Sequence, residues 1–203
     1  MAFICFSKVT QTGDAGGSGV SRFAWRTGGS GAPLPADASA AAFALNNLYN
    51  AMKSHFPSTV THTFDPLVEY VDEVSALVSG TVVASSVPQP ITGAGGQSGY
   101  PAGVGLRINW RTAFIHNRRF MRGCTFLVPL DGTSYGQGGN ILGSVQSAAV
   151  TAATSYLTGM QGVLLTPVIY HRPLKGQVTG GVSASIQNAT VEVAPSVLRS
   201  RRV

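Results

Sequence analysis

Charge is what this sequence has least of. Asp, Glu, Lys and Arg make up 11% of the 203 residues, while apolar types stand at 44%. The charged share is under half of the roughly 25% usual in soluble domains, and the apolar share is ordinary. Disorder by self-repulsion is therefore excluded. Lysine is scarcer still, with 3 against 11 Arg, so the net charge of +6 rests on guanidinium groups. These form planar, bidentate pairs and suit interfaces and phosphate contact better than plain solubilisation. Only two cysteines occur, Cys5 and Cys124, far apart and without metal spacing. That excludes a disulfide framework and predicts two free thiols in a reducing compartment.

Long apolar runs are missing too. No window approaches the roughly 18 uninterrupted apolar residues of a membrane span. The stretch from Met1 to Phe6 is broken by Ser7, Lys8 and Thr10 and has no basic flank, which predicts no export signal. The sequon Asn188-Ala189-Thr190 is then not expected to carry glycan. Catalytic signatures are absent as well. Gly13-Asp14-Ala15-Gly16-Gly17 imitates the surroundings of a serine-protease nucleophile, but Ala15 stands where the serine belongs. Neither Gly93-Ala94-Gly95-Gly96 nor Gly103-Val104-Gly105 completes a phosphate-binding loop. His55, His62, His116 and His171 are scattered without metal spacing. The expectation is a protein that is not an enzyme and uses no cofactor and no metal.

What remains is small and polar: Gly, Ser, Thr, Ala and Asn must supply much of the surface, as in subunits covered by their neighbours. Residues 11–36 are punctuated by glycines and closed by Pro33 and Pro35, reading as a loop or extended arm with a short strand over 21–27. Phe23 and Trp25 on such an arm would need another subunit to pack against. The expected division is thus a Gly-rich N-terminal arm over 1–36, one globular β-rich domain over 37–198 and a basic tail over 199–203.

Asp37 before an Ala-rich run predicts an N-cap and a helix over 38–54, with Ala41, Leu45, Leu48 and Met52 on its apolar face and Pro57 beyond its end. A second helix is predicted over 143–159 from Val145, Ala149, Ala152, Tyr156 and Met160, stopped by Gly159 and Gly162. Most of the rest reads as strand. Val60, His62 and Phe64 alternate with threonines, and Pro66 interrupts before 67–71 resumes. Ser79-Gly80 looks like a hairpin tip leading into 81–84. The long loop over 85–103, with Tyr100, is of a length that tends to reach a partner.

The clearest strand is 104–112, with Val104, Leu106, Ile108 and Trp110 on the face expected to meet the core. It predicts an antiparallel hairpin with 120–128. A strand over 163–171 and a closing pair, 182–186 with 189–193, complete an α+β, mainly antiparallel β class. About two helices, sandwich-like sheet packing and an extended N-terminal arm are expected.

Five arginines, Arg107, Arg111, Arg118, Arg119 and Arg122, fall on the predicted hairpin with no acid among them. They predict contact with a charge partner, either the cluster Glu69, Asp72 and Glu73, or Asp131, within the subunit or across an interface. A polyanion such as nucleic acid is second choice. Arg199, Arg201 and Arg202 form a second, shorter basic cluster at the C-terminus.

The segments Pro101-Ala-Gly-Val-Gly-Leu-Arg-Ile-Asn-Trp-Arg-Thr112 and Arg118-Arg-Phe-Met-Arg-Gly-Cys-Thr-Phe-Leu-Val-Pro-Leu130 resemble a hairpin of virion-associated bacteriophage proteins of similar length. That hairpin pairs a strand ending in a Trp-Arg-Thr-like triplet with an Arg-Gly-Arg-Thr/Asn-Phe/Tyr-Leu/Ile strand running into proline. Cys124 stands here where the pattern prefers its second Arg. The tail Leu198-Arg-Ser-Arg-Arg202 is similar to the basic ending of the same group. Hairpin and tail cover under a fifth of the chain. The resemblance implies a repeated structural subunit of a phage capsid, neck or tail, assembled in the host cytoplasm and located in the virion. Its partners would be copies of itself and other virion proteins, with no membrane contact. The alternative is a receptor-binding or adhesion β module of a virion, with the Tyr100 loop as its candidate surface.

Overall fold

The computed structural model describes residues 3–14, 17–27, 31–72, 79–96, 104–111, 124–125, 131–134, 142–160, 182–186 and 189–197. The fold is α+β and mainly antiparallel, with a six-stranded and a four-stranded sheet and two long helices.

The first sheet is organised around β1 (Phe3–Asp14). One edge of β1 pairs with β2 (Gly17–Arg26), from Ile4 opposite Arg26 to Asp14 opposite Gly17. The other edge is shared end to end by β3 (Thr61–Phe64) and β4 (Leu67–Asp72). Phe64 stands opposite Val9 and Glu69 opposite Phe6, so Asp65-Pro66 adds two residues to the outer strand. Two extra residues preserve the alternation of faces where one would invert it. The Asp65 N–H donates to Lys8 O at 3.1 Å, and the Asp65 carboxylate accepts the Leu67 N–H at 2.9 Å, which closes the break. β5 (Ser79–Val83) extends β4, and β6 (Ile91–Thr92) extends β3.

This corrects the expectation of an N-terminal arm. Residues 3–26 are the antiparallel pair β1–β2, with β1 at the centre of the sheet. Gly13 has φ of +94° and is pressed against the Thr59 carbonyl, a position only glycine fills without strain. Phe3, Cys5, Ser7 and Val9 on β1 and Phe23, Trp25 and Thr27 beside them are buried. Phe23 is 0% exposed and Trp25 is 3% exposed within the chain itself, so neither waits for another subunit. The Trp25 Nε1–H donates to Ser7 Oγ at 3.0 Å, which satisfies both buried polar groups.

Helix α1 (Pro35–Met52) covers this inner face with Ala41, Leu45, Leu48, Tyr49 and Met52, in the periodicity the sequence predicts. Its start differs from expectation. Pro35 takes the first helical position, and Asp37, three residues in, accepts the Leu34 N–H at 2.8 Å. Leu34 itself offers no side-chain acceptor, so Asp37 satisfies an N-terminal donor from inside the first turn. Ser39 Oγ donates to Pro35 O at 2.9 Å and accepts the Ser86 N–H at 3.1 Å, tying the chain after β5 to the same turn.

Helix α2 (Gly143–Met160) buries Val145, Ala149, Ala152, Tyr156 and Met160, as expected from their spacing, and packs on α1. Gly159 is the penultimate residue of α2, and Gly162 lies outside the described residues. A Cβ at Gly159 would come 3.0 Å from Ala44 Cβ, so its lack of a side chain lets the helices approach. Ser79-Gly80 is not a hairpin tip. Both residues are in β5, opposite Val71 and Tyr70. A Cβ at Gly80 would fall 2.6 Å from Tyr70 Cζ, so the Tyr70 ring occupies the space a side chain would need.

The second sheet has the order β8-β7-β10-β9. Its members are β7 (Val104–Arg111), β8 (Cys124–Thr125), β9 (Val182–Ile186) and β10 (Ala189–Val197). The antiparallel pairing of β7 with β8 is present, with Ile108 opposite Cys124, and so is the closing pair β9–β10. The face presented by Trp110 and its neighbours, and the strand expected over 163–171, lie outside the described residues. Helix α2 contacts β9 and β10, and the described core is helix against sheet.

Removing the indole from this core should be costly. Trp25→Ala is expected to lower stability in urea by roughly 3–5 kcal/mol, as for a large aromatic cut from a packed interior. A loss below about 1 kcal/mol would place Trp25 at a surface.

Candidate interaction surface

The outer face of the six-stranded sheet carries the chain's most distinctive exposed chemistry. Lys8 on β1 and Arg22 on β2 are directly opposite one another, a pairing that repels. Glu69 on β4 resolves it. Its carboxylate accepts a hydrogen bond from Lys8 Nζ at 2.5 Å and lies 3.8 Å from an Arg22 nitrogen. The Lys8 hydrogen bond, against the cost of desolvation and helped by the charges of Lys8 and Arg22, holds the Glu69 carboxyl below its usual range. The group is solvent-exposed, so the pair neutralises the surface more than it stabilises the fold.

A shallow cleft of about 350 Å³ lies alongside, lined by Phe6, Arg22, Glu69, Tyr70, Val71, Gly80 and Thr81. Around it the face is apolar: Val20 is 61% exposed, Leu67 36% and Val83 59%. These aliphatic side chains share the outer face with the Lys8–Glu69–Arg22 cluster.

This arrangement relocates several residues nominated from sequence. Glu69 sits in mid-strand, and its ion-pair partners are Lys8 and Arg22, two cations the arm reading left unassigned. The alternation Phe3-Cys5-Ser7-Val9 was the signal that could have placed Lys8 on the opposite face. Asp72 is buried at the end of β4, opposite Phe3. Arg107 and Arg111 lie on β7, opposite Ala194 and Thr190 of β10. Among the described residues, the acids of β4 and the arginines of β7 belong to different sheets. Glu73, Arg118, Arg119, Arg122, Arg199, Arg201 and Arg202 lie outside the described residues.

Asp131 is also engaged locally. It is buried, and burial opposes its charge. Hydrogen bonds from Ser134 Oγ at 2.6 Å, Thr133 Oγ1 at 2.9 Å and the Gly96 N–H at 3.0 Å, with the charge of nearby His55, nevertheless hold its carboxyl low. Ser134 Oγ is 3.4 Å from His55 Nδ1. The order is histidine, serine, carboxylate. The Ser134 hydroxyl donates to the Asp131 carboxylate directly, not to an imidazole as in a serine-hydrolase triad. The trio instead pins the turn over 131–134 to the end of α1, where the Asp131 N–H also donates to His55 O at 2.9 Å.

The first half of the long loop is likewise a strap. The Gly93, Ala94 and Gly95 N–H groups donate to Val60 O, Lys53 O and Phe56 O at 2.9, 2.9 and 2.8 Å. A Cβ at Gly95 would meet Ser54 O and Phe56 O at 2.8 Å, so glycine is required by the closeness of two backbones. Tyr100 lies outside the described residues.

Two buried groups complete the survey. Cys5 is a free thiol, and burial, with the Asp37 charge adding, raises its ionisation far above the ordinary range, so it stays protonated. His62 is 1% exposed and packs between the rings of Tyr49 and Phe56, with centroids at 4.6 and 4.8 Å. Neither ring nitrogen has a partner at hydrogen-bond geometry. Burial pushes its pKa down to about 4, against a weaker upward pull from the Ile91 main chain across the β3–β6 pair. No three His, Cys, Asp or Glu side chains among the described residues converge as a metal site, and no described helix is long and apolar enough to cross a membrane.

Comparison of the chain with protein-family models, with curated proteins and with solved structures finds no match.

Two predictions follow from the strap and the buried ring. Gly95→Ala should destabilise the protein by about 1–3 kcal/mol, because the methyl group meets backbone oxygens that cannot move aside cheaply. A Gly95→Ala variant as stable in urea as the wild type would show that the strap is loose. The His62 imidazole is neutral in both folded and unfolded states above its ordinary value of 6.5. As pH falls from there towards 4, only the unfolded state takes the proton. Stability is then lost by roughly 3 kcal/mol, at about 1.4 kcal/mol per pH unit. His62→Phe should remove that part of the slope, and equal slopes for variant and wild type would exclude it.

Proposed function

We propose that this chain is a repeated structural subunit of a bacteriophage virion, acting through protein–protein contacts and carrying no catalytic centre. The observation that carries the reading is the outer sheet face, where Val20, Leu67 and Val83 are exposed and Glu69 pairs with both Lys8 and Arg22. The hairpin resemblance around Trp110 and Arg118 supplies the phage context, and the sparse charge of the chain fits a surface that neighbours cover. Partners are copies of the chain and other virion proteins, and the place of action is the virion after assembly in the host cytoplasm.

A second reading concerns the arginines alone. Two of the counter-charges nominated for the hairpin are engaged elsewhere, Glu69 by Lys8 and Arg22, and Asp131 by Thr133, Ser134 and Gly96. That favours a polyanion, such as the packaged genome, as the arginines' partner over the acids of a neighbouring subunit.

Light scattering of the purified protein at low and high salt tests the first reading. A discrete assembly is expected at both. Val20→Lys with Leu67→Lys should return it to single subunits while circular dichroism stays unchanged. A wild-type protein that remains monomeric at every concentration would overturn the proposal. Retention of DNA that falls steeply with salt, and is lost in Arg118→Glu with Arg119→Glu, would support the second reading.

A further inference from the structure

We infer that β5 is the strand through which two copies of this chain join, edge to edge about a two-fold axis, to make one continuous sheet. The inference rests on the subunit reading above and names the contact it uses.

The six-stranded sheet ends in three edges, and two are guarded. β6 is only two residues long, and β2 carries Arg22 and Arg26. β5, with the sequence Ser-Gly-Thr-Val-Val, has no charge and no proline, and its register with β4 runs without a bulge. Natural sheets use those devices to prevent edge pairing, and a strand lacking all of them is a template for another strand.

The direction of its free groups can be read from the ladder. The Ala84 N–H donates to Pro66 O at 2.8 Å, in the same register that sets Val82 opposite Val68 and Gly80 opposite Tyr70. In an antiparallel ladder, alternate residues turn both backbone groups to the same neighbour. Val82 and Gly80 therefore bond to β4, while Ser79, Thr81 and Val83 turn their N–H and C=O groups outward. Among the described residues β5 pairs with β4 alone.

The occupant is a second β5 because the strand is complementary to itself. An axis at Thr81 sets Thr81 against its own copy and Val83 against Ser79 of the partner subunit, pairs in which each residue both donates and accepts. Gly80 falls opposite Val82 of the partner subunit. The Tyr70 ring already lies over Gly80, so the incoming valine meets an aromatic surface where a larger residue at position 80 would collide. The contact is continuous with the exposed Val83 of the outer face, so strand pairing and apolar burial act on one interface.

Thr81→Pro is the direct test. Its lost N–H points outward, so pairing with β4 is untouched, and proline is accepted on edge strands in that orientation. Self-association measured by sedimentation should weaken by about 10- to 100-fold, the equivalent of two to three main-chain hydrogen bonds. Thermal melting checks that the variant is folded. Thr81→Cys is a second, independent test under mild oxidation. Residues paired in this way lie about 5.5 Å apart at Cα, within disulfide reach, so a covalent dimer is expected. Val83→Cys should give none, since its opposite number is serine, and wild type under the same oxidant sets the background. If the wild type assembles but Thr81→Pro assembles equally well, or Thr81→Cys fails to cross-link, the β5 contact is overturned while the subunit reading stands. A wild type monomeric at all concentrations overturns the subunit reading and the contact with it.

Discussion

The architecture depends on β1 being paired along both edges. One side takes a single long partner, β2, while the other takes β3 and β4 in tandem. A continuous partner on that second side would lack the two extra residues of the Asp65-Pro66 break and keep one register throughout. The break instead lets β3 and β4 diverge, each recruiting its own outer neighbour, β6 and β5. Because the inserted length is even, His62 and Phe64 before it and Val68 after it still point inward, and α1 can lie across both halves.

Onto that inner face the chain places a hub rather than a uniform oil layer. Tyr49 of α1 touches Phe23 of β2, Phe64 and His62 of β3, and Phe56 beyond the helix, with ring centroids between 4.6 and 6.1 Å. Phe23 in turn reaches Tyr156 of α2. One side chain thus couples both helices to the first sheet. Edge-on and tilted contacts of this kind add modestly to the area buried and fix orientation more than they add energy. The strap over 93–95 holds the same region from outside, which is why glycine is needed there and not for flexibility.

The helices and the later strands were legible in the sequence because their signals were periodic. Ala41, Leu45, Leu48 and Met52 gave the buried face of α1, Val145 to Met160 that of α2, and the alternation from 182 to 193 the β9–β10 pair. Where composition spoke louder than period, the reading failed. Glycines in 13–19 suggested a loose arm, although Gly13, at positive φ beside the register shift of β1, is required where it stands. Gly80 and Gly159 looked like punctuation, yet each makes room for a specific neighbour, Tyr70 and Ala44, which only tertiary structure reveals. The Lys8–Glu69–Arg22 cluster was hidden for the same reason: once 3–26 is taken as an arm, Lys8 and Arg22 have no sheet to stand on.

That misreading also explains why charge was the harder half of the functional argument. With only 8 acids in the chain, each one already engaged changes what the arginines can meet. Asp37 is held at the helix start, Asp65 closes the break between β3 and β4, Asp131 secures a turn, and Glu69 neutralises the outer face. These four acids are thus spent on local geometry. Because Glu69 already meets both Lys8 and Arg22, the outer face of the first sheet costs less to desolvate than one that carries lone charges.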